Sequence, residues 1–194
     1  MRQVTLASSN GGKIREFEGL LAPLGWQVVA QDRIGIQGAD EPHRTFLENA
    51  LAKARHVARA TGGAALADDS GLCVSALKGM PGVDSAHFAG PARCDEDNNR
   101  ALLQALDGVT ERQAFYCCVL VWLDGPEDPT PGVAEGRWHG RIAREPHGAG
   151  GFGYDPLFLV DGLDKTAAQL ALEEKNRISH RALAWQKLAF WLQT

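Results

Sequence analysis

Short apolar runs alternate with amphipathic stretches along most of this chain. A run of four to eight apolar residues is typical of a buried strand, whereas apolar residues three and four positions apart are typical of a helix that packs by one face. The runs predict strands over Val4–Ala7, Gln27–Ala30, Ala64–Ala67, Phe115–Leu123, Val133–Ile142 and Leu157–Val160. Because strands and helices interleave in this way, the sequence predicts an α/β fold.

The helical stretches are predicted to begin at Lys13, Thr45, Asp95 and Ser179. The second has the capping-box sequence Thr45-Phe46-Leu47-Glu48, in which threonine and glutamate side chains bond the first N–H groups of a helix. On this helix, which is predicted to run to about Ala60, Asn49, Lys53 and His56 share one face. A solvated face is the simpler interpretation of these three residues.

Composition and charge narrow the class of protein. A chain of 194 residues is long enough for one domain with a substantial core. The net charge of −4 argues against a broad nucleic-acid-binding surface. No stretch has the length of a membrane span or the pattern of a signal peptide. The four cysteines lack metal-site spacing, so they are expected to be reduced, as in a cytoplasmic protein: Cys73, Cys94, Cys117 and Cys118.

Two adjacent carboxylates, Asp68 and Asp69, directly follow the apolar run Ala64–Ala67. Ligands of open α/β sheets bind beyond the carboxyl ends of strands, so this position suits chemistry. Adjacent acids repel each other and are costly to bury unless a cation or a shared proton compensates them. A divalent metal at a turn after the strand is one interpretation, and a solvated, inert acidic turn is the other.

A second candidate site is Ser8-Ser9-Asn10-Gly11-Gly12-Lys13, between the first strand and the first helix. The free N–H groups and positive dipole end of a helix attract phosphate, and a lysine adds charge. The glycine spacing differs from that of a P-loop, and Ile14 stands where that motif has Ser or Thr. An ordinary capped helix with a surface lysine is the alternative interpretation.

Further acids, Asp40 and Glu41, precede the second helix. Together with Asp68 and Asp69 they offer the hard oxygen ligands that suit Mg²⁺, an ion that often shares its coordination with substrate phosphates. No histidine and cysteine spacing typical of zinc sites occurs in the sequence. The acids therefore predict a magnesium site.

Two further motifs lie in the last third of the sequence. Gly148–Pro156 contains G-x-G-x-x-G, but Pro156 leads into a strand, so a dinucleotide-binding turn is excluded. Glycines beside Phe152 and Tyr154 suit a flat ring that lies against backbone and aromatic faces. Lys175–Arg181 places three cations and a histidine at the predicted start of the last helix. Cations there oppose the helix dipole, which favours a bound anion or electron-rich base.

Taken in their order along the chain, these motifs resemble the inosine triphosphate pyrophosphatase family, also called XTP/dITP diphosphatases. The resemblance runs from Ser8–Lys13 to Arg181, and its further matching segments are Thr45–Ala50, Asp68–Leu72, Pro81–Ala86, Gly151–Pro156 and Lys175–Arg181. It implies a single domain, residues 1–194, that hydrolyses non-standard purine nucleoside triphosphates. The substrates would be dITP, ITP, XTP and dXTP, and the products would be a nucleoside monophosphate and pyrophosphate. The reaction would remove non-standard nucleotides from the nucleotide pool.

The resemblance also implies roles for individual residues. Asp69 is expected to be the general base and a metal ligand, and Asp68 with either Asp40 or Glu41 is expected to complete the shell of Mg²⁺, for which Mn²⁺ would be a substitute. Donors of His180, of Arg181 and of backbone N–H groups near the Ser179 helix start are expected to bind the 6-oxo group of the base and to reject adenine. The residues expected to bind the nucleotide are Ser8, Ser9, Asn10, Gly11, Gly12, Lys13, Lys53, Ser70, Phe152, Gly153, Tyr154, Asp155, Lys175, His180 and Arg181.

The family fold implied by the resemblance is an elongated, two-lobed α/β structure, with a long mixed central sheet flanked by helices and a cleft between the lobes. Family members are usually homodimers. The chain has His87-Phe88 where members commonly have Arg-Tyr, which leaves the role of that pair open. The competing classes are a nucleotide sensor without turnover and a phosphatase acting on pyrimidine triphosphates or on monophosphates. A pure anion binder gains nothing from paired carboxylates, so Asp68 and Asp69 argue against a sensor.

Overall fold

The computed structural model describes residues 2–192, and its strands form a six-stranded mixed sheet. The strands are β1 (Arg2–Leu6), β2 (Trp26–Ala30), β3 (Ala65–Val74), β4 (Gln113–Leu123), β5 (Gly132–Ile142) and β6 (Phe158–Val160). Their order in the sheet is β2-β1-β3-β4-β5-β6. Strand β1 runs parallel to β2 and β3, whereas β5 runs antiparallel to β6. The predicted α/β fold is confirmed.

Five α-helices occur among the described residues: α1 (Gly11–Leu21), α2 (Phe46–Thr61), α3 (Asp95–Ala105), α4 (Leu172–Ile178) and α5 (His180–Trp191). Short 3₁₀ helices lie at Ala22–Leu24, Gln31–Ile34, Ser75–Leu77, Gly82–His87 and Ala167–Gln169. The predicted cap of α2 is confirmed, since Thr45 Oγ1 accepts from the Glu48 backbone N–H at 3.3 Å. The Thr45 hydroxyl in turn donates to the Glu48 carboxylate at 2.5 Å.

Strand β3 differs from its prediction at the two adjacent acids, Asp68 and Asp69. The sequence pattern predicts an end at Ala67, but the strand continues to Val74, so the prediction of an acidic turn at Asp68 and Asp69 was wrong. The two acids can lie within a buried strand because cations neutralise them, as described below. The neighbouring strand β1 ends at Leu6, which pairs with Leu66. Asp68 therefore still lies beyond the carboxyl end of a parallel strand.

The basic segment before Ser179 also differs from its prediction. It forms a separate helix, α4, which ends at Ile178, and Ser179 has an extended backbone with φ −69° and ψ 163°. Lys175 and Arg177 lie in the last turn of α4, where cations interact favourably with the helix dipole. The prediction that these two cations oppose the dipole at the start of the last helix was therefore wrong.

The chain divides into two compact units, each with its own hydrophobic core. Unit 1 contains the described residues up to Asp69, together with Cys118–Gly136 and the residues from His180 onward. Its core is built around α1, β1 and α5, with Phe17, Leu6 and Leu188 fully buried.

Unit 2 contains Ser70–Cys117 and Arg137–Ser179. Its core includes Leu72 of β3, Leu102 of α3 and Phe158 of β6, all of them fully buried. Tyr116 contributes an aromatic ring 4.7 Å from that of Phe158, measured between ring centroids. The unit is thus held by a mixed aliphatic and aromatic cluster.

Within unit 1, Gly136 allows α5 to approach β5 closely. A Cβ atom at this position would overlap the carbonyl oxygen of His180 and the backbone nitrogen of Ala184. Glycine inside a strand is typical of such a close backbone approach. The missing side chain therefore fixes where the first turn of α5 lies.

All four cysteines are free, and Cys73, Cys117 and Cys118 are buried. This agrees with the prediction that they are unpaired thiols, although Cys94 is only half-buried. None of the helices in residues 2–192 is long and apolar enough to cross a membrane.

Candidate active site

Asp68 lies in the middle of β3 with 1% of its surface exposed, and three groups of unit 1 contact its carboxylate. Lys13 Nζ forms an ion pair with Oδ1, Arg181 Nε donates to Oδ2 at 3.1 Å, and the Cys118 thiol donates to Oδ2 at 3.1 Å. Burial alone would raise the pKa of Asp68, but Arg181 and Lys13 outweigh it and hold the pKa well below its usual range. The neighbouring cations therefore stabilise the ionised form of Asp68.

Arg181 connects Asp68 to a second buried acid. Its Nη1 donates to Glu16 of α1 at 2.6 Å, and both side chains are 3% exposed. Burial would lower the pKa of Arg181, but Asp68 and Glu16 raise it above its usual value. Sequence reasoning missed Glu16, although an acid on the face of α1 that also carries Ile14 and Phe17 is the signal for a buried ion pair.

Asp69 belongs to a second ion-pair cluster of unit 1, which is centred on Lys53 of α2. Lys53 Nζ donates to Asp69 Oδ1 at 2.7 Å and to Glu41 Oε2 at 2.8 Å. Asn49, one turn earlier on α2, donates to Asp69 Oδ2 at 3.4 Å. Asn49 also fixes the segment before α2 through two hydrogen bonds with the backbone of His43. One helix face thus orients both carboxylates.

The two carboxylates of this cluster differ in their affinity for protons. Burial raises the pKa of Asp69 to about 6, against the opposing attraction of Lys53 and Lys13, and a hydrogen bond with Glu41 raises it further. Burial also tends to raise the pKa of Glu41, but Lys53 outweighs it, so the pKa of Glu41 is lowered. A proton in this cluster therefore resides on Asp69.

The predicted solvated face of α2 was wrong for two of its three residues. Asn49 and Lys53 are 1% and 8% exposed, respectively, and both contact Asp69. His56 is exposed, and its Nε2 lies 2.8 Å from the carbonyl oxygen of Gln37. The local pattern could not show this difference, because the acid that buries Asn49 and Lys53 comes from another element.

Asp68, Asp69 and Glu41 all present carboxylate oxygens, the ligand type that a magnesium ion prefers. The hydrogen bond between Asp69 and Glu41 brings two acids together, an arrangement that a divalent cation would relieve. In residues 2–192 no group of three or more His, Cys, Asp or Glu side chains is arranged to hold a metal ion. The two candidates preceding α2, Asp40 and Glu41, are both exposed, and of these Glu41 belongs to this cluster through its ion pair with Lys53.

The segment before α1 forms the capped helix that the sequence left as an alternative. Asn10 Oδ1 accepts from the backbone N–H groups of Gly12 at 2.9 Å and Lys13 at 3.1 Å. Ser8 Oγ accepts from the Asn10 N–H at 3.1 Å. Ser9, like Gly11, is exposed. The N–H groups proposed for phosphate are thus present at a helix start, but two of them are bonded to the Asn10 side chain.

In unit 2, Asp155 holds a turn and a buried lysine together. Its Oδ2 accepts from Lys175 Nζ at 2.6 Å and from the Phe152 backbone N–H at 3.0 Å. Lys175 Nζ also lies 5.0 Å from the centroid of the half-buried Phe152 ring. An ammonium group over an aromatic face is an attractive arrangement. Lys175 is therefore tied to the turn by one ion pair and one ring contact.

The other predicted residues of this turn are positioned by α3 and by the core. Gly153 N–H donates to Asp95 at 2.6 Å, and Asn99 Nδ2 donates to the Gly153 carbonyl oxygen at 2.8 Å. Tyr154 is 3% exposed within the core of unit 2, and its hydroxyl donates to the Ser85 carbonyl oxygen at 2.8 Å. Asn99 was not identified from the sequence, and its Oδ1 is buried without a hydrogen-bond partner.

Two predicted residues remain. Ser70 is half-buried in β3, and His180 is 2% exposed in the first turn of α5. Predicted residues thus form two ion-pair clusters in unit 1 and one group in unit 2. The clusters of unit 1 are Asp68 with Lys13 and Arg181, and Asp69 with Lys53 and Glu41, and the group of unit 2 is Phe152, Gly153, Tyr154, Asp155 and Lys175.

A model of the Ham1 family matches residues 4–191 of the chain. A protein of Nitrosomonas europaea named dITP/XTP pyrophosphatase is 57% identical to it over 97% of this chain and 93% of the relative. A protein of Ralstonia nicotianae with the same name is 53% identical over 97% of this chain and 95% of the relative.

Solved structures give the same result. The HAM1 protein of Coxiella burnetii superimposes with a TM-score of 0.90 at 42% identity, covering 100% of this chain and 99% of that protein. The Ham1 protein of Staphylococcus aureus superimposes with a TM-score of 0.86 at 40% identity, covering 99% and 98%. The similarity therefore extends over both units and their sequence motifs.

Proposed function

Because the chain belongs to the Ham1 family, we propose that it hydrolyses non-standard purine nucleoside triphosphates to the nucleoside monophosphate and pyrophosphate. The substrates are dITP and ITP together with XTP and dXTP. The observation that carries the proposal is the pair Asp68 and Asp69, adjacent in β3, of which Asp68 contacts Lys13 and Arg181 and Asp69 contacts Lys53. Two carboxylates with separated pKa values are typical of sites that need one permanent charge and one group that exchanges a proton.

Asp69 acts as the general base in this proposal. Its pKa of about 6 leaves it mainly ionised at neutral pH and still able to accept a proton from an attacking water. Lys53 and Asn49 orient the carboxylate from two sides. Asp68 stays charged throughout, because Lys13 and Arg181 stabilise its ionised form.

Asp68, Asp69 and Glu41 would hold Mg²⁺, with Mn²⁺ as a substitute and with Asp40 as the alternative to Glu41. When bound, the ion neutralises phosphate charge and withdraws electron density from phosphorus. Lys53 bridges Asp69 and Glu41, and if these carboxylates held the ion, the lysine would be available to pair with another anion. A substrate phosphate is the anion that we propose for it.

The triphosphate is bound by Ser8, Ser9, Asn10, Gly11, Gly12 and Lys13 with the help of Lys53. The protein carries a net charge of −4 and the substrate is also an anion, so the two repel each other overall. Binding therefore needs lysine side chains close together at the triphosphate. The helix start adds backbone N–H groups and the positive end of its dipole.

The nucleoside is bound by Ser70, Phe152, Gly153, Asp155, Lys175 and His180, whereas Tyr154 and Arg181, for which the resemblance implies the same role, support the turn and hold Asp68. The half-buried Phe152 is the ring best suited to stack on the base, since Tyr154 lies in the core and supports the turn. A donor from the His180-Arg181 segment would accept hypoxanthine or xanthine through the 6-oxo group and reject the 6-amino group of adenine. Arg181 Nε donates to Asp68 and its Nη1 donates to Glu16. These contacts favour a role for Arg181 in holding Asp68.

The remaining features of the proposal rest on the family resemblance. Residues 1–194 act as one catalytic domain, and the protein works as a homodimer in the cytoplasm without a nucleic-acid partner. The free thiols agree with a reducing compartment.

One assay tests the central proposal. The purified protein is incubated with dITP, dATP, dTTP or dIMP in the presence of Mg²⁺, and the release of pyrophosphate and of orthophosphate is measured separately. We expect pyrophosphate from dITP at a rate far above that from dATP or dTTP, and no orthophosphate from dIMP. The activity should vanish with EDTA and return when Mg²⁺ or Mn²⁺ is added.

Each alternative gives a different result in the same assay. Binding of dITP without any product would identify a sensor. Orthophosphate as the product would identify a phosphatase, and equal rates with dTTP would remove the preference for purines. Full turnover in metal-free buffer would contradict the assigned role of the carboxylates.

A further inference from the structure

Unit 2 contains a cavity of about 280 Å³ beside the end of β5 that plays no part in the proposed reaction. Its polar lining side chains are those of Thr110, Arg112, Gln113, Arg141 and Arg144. Three of these five are guanidinium groups, and no lining residue is acidic. The cavity is therefore strongly positive within a chain whose net charge is −4.

Arg112 is the buried member of this group, with 8% of its surface exposed. Its Nε donates to the carbonyl oxygen of Ile142 at 2.8 Å, Nη1 to that of Leu106 at 3.0 Å, and Nη2 to that of Ala143 at 2.9 Å. All three acceptors are neutral backbone groups. Because a guanidinium has five N–H donors, the contacts described leave one on each terminal nitrogen.

The charge of Arg112 has no carboxylate partner in the described part of the chain, and the same holds for Arg141 and Arg144. Burial lowers the pKa of Arg112, and the nearby Arg144 lowers it further. A buried charge is normally paired, since the loss of hydration is otherwise uncompensated. The Leu106 carbonyl lies at the negative end of α3, which offsets part of the charge and lets the unit fold without an anion.

We propose that this cavity, defined by Thr110, Arg112, Gln113, Arg141 and Arg144, binds a small phosphate-type oxyanion such as inorganic phosphate or pyrophosphate. Guanidinium groups bind tetrahedral oxyanions through paired N–H donors, and the hydroxyl and amide side chains provide further donors. The exposed Arg141 and Arg144 would close over the anion, while Arg112 forms the fixed base of the site. The proposal does not depend on the hydrolysis of nucleotides.

The test is a titration of the full ¹⁵N-labelled chain with pyrophosphate, monitored by NMR through the chemical shifts of the backbone amides. EDTA is present so that no metal contributes, and sodium chloride at the same ionic strength is the reference. Since the proposed active site also attracts phosphate, the position of the shifts is the decisive readout. We expect saturable shifts at Gln113 and Ala143, separate from any at Gly12 and Asp69.

Variants sharpen the result. Arg144→Gln, which changes an exposed side chain, should weaken binding at Gln113 and Ala143 by at least about fivefold and leave any shifts at Gly12 unchanged. Arg141→Gln should act in the same way. Arg100→Gln on α3 removes an equal charge from an exposed arginine of unit 2 and should have no effect. Absence of saturable shifts at Gln113 and Ala143, or equal affinity in all three variants, would overturn the proposal.

Discussion

Lys53 Nζ lies 2.7 Å from Asp69 Oδ1, and its second partner is Glu41 Oε2 at 2.8 Å. A single ammonium group thus joins the central strand β3 to the segment that precedes α2. The side chains of Lys53 and Asp69 are 9% and 8% exposed, so the pair is largely removed from water. Burial of this kind makes each partner sensitive to the loss of the other.

Lys53→Met should reduce both stability and turnover. Leaving the buried Asp69 carboxylate without its cation should lower the free energy of unfolding by about 2–4 kcal/mol. The loss of a cation near the phosphates should lower kcat/KM for dITP by about 10²-fold. Urea denaturation and pyrophosphate release measure the two effects. Arg55→Gln, which alters an exposed arginine of the same helix, should change the free energy of unfolding by less than about 0.5 kcal/mol.

Asp69→Asn should lower kcat for dITP by at least about 10²-fold, the scale expected when a general base is removed. Affinity for the substrate should change less, because Lys13 and Lys53 remain and one negative charge has been removed. Calorimetric titration and initial rates measure the two quantities. Asp97→Asn in the exposed first turn of α3 is the matched control, and wild-type kcat in the Asp69 variant would remove Asp69 from the mechanism.

The raised pKa of Asp69 should also appear in the pH dependence of stability in EDTA. Its pKa is about 6 in the folded protein against an ordinary value of 3.8, so the folded state binds this proton more tightly. The resulting contribution to the free energy of unfolding is complete below about pH 4 and is lost as the pH rises through 6. The difference in free energy of unfolding between Asp69→Asn and the wild type should therefore shift in favour of the variant by about 1–3 kcal/mol as the pH rises from about 4.5 to 7.5. If urea denaturation gave the same difference in free energy of unfolding between variant and wild type at every pH, the pKa of Asp69 would not be raised.

Arg181→Lys distinguishes two roles for a buried arginine. A lysine cannot bridge Asp68 and Glu16 in the same planar geometry, so Asp68 should lose orientation. We expect kcat/KM to fall by about 10-fold or more for both dITP and dATP, with their ratio unchanged. A smaller ratio of kcat/KM for dITP to kcat/KM for dATP would instead support direct contact between Arg181 and the base. Arg33→Lys, at an exposed position of unit 1, is the control.

Phe152→Leu and Tyr154→Phe should distinguish a residue that stacks on the base from one that stabilises the turn. Loss of the Phe152 ring should raise KM for dITP several-fold, since stacking on an aromatic ring contributes about 1–3 kcal/mol per base. Tyr154→Phe removes the hydrogen bond to the Ser85 carbonyl oxygen and should mainly lower the free energy of unfolding by about 1 kcal/mol. A larger change in KM for the Tyr154 variant would reverse these assignments.

Local patterns in the sequence predicted most of the fold. The apolar runs at Phe115–Leu123 and Val133–Ile142 correspond to β4 and β5, and the Thr45 cap begins α2 as expected. Strand β3 was misjudged after Ala67 because a pattern of hydrophobicity treats charged residues as exposed. Asp68 is buried only because its cations come from distant parts of the chain.

The candidate site was predictable as a set of residue types but not as a set of contacts. Arg181 lies 113 residues from Asp68 in the sequence, and Lys53 lies 16 residues from Asp69. No local periodicity carries such pairings, so the local pattern gave no sign that Asn49 would be buried, and at Glu16 the apolar face of α1 was a signal that sequence reasoning did not use. The predicted start of the last helix at Ser179 agrees with α5, which begins at His180, but the separate helix α4 before it was missed, because only the backbone of Ser179 interrupts two helical stretches.

The Asn10 cap of α1 has a consequence for the affinity of any phosphate at this helix start. Its carboxamide oxygen already occupies the N–H groups of Gly12 and Lys13, so it acts as an internal competitor of the ligand. A cap of this type stabilises a helix by about 1 kcal/mol, which corresponds to about a fivefold change in affinity. Part of the binding energy at this loop is therefore spent on displacing a side chain of the protein itself, and free phosphate is held more weakly than an uncapped helix would hold it.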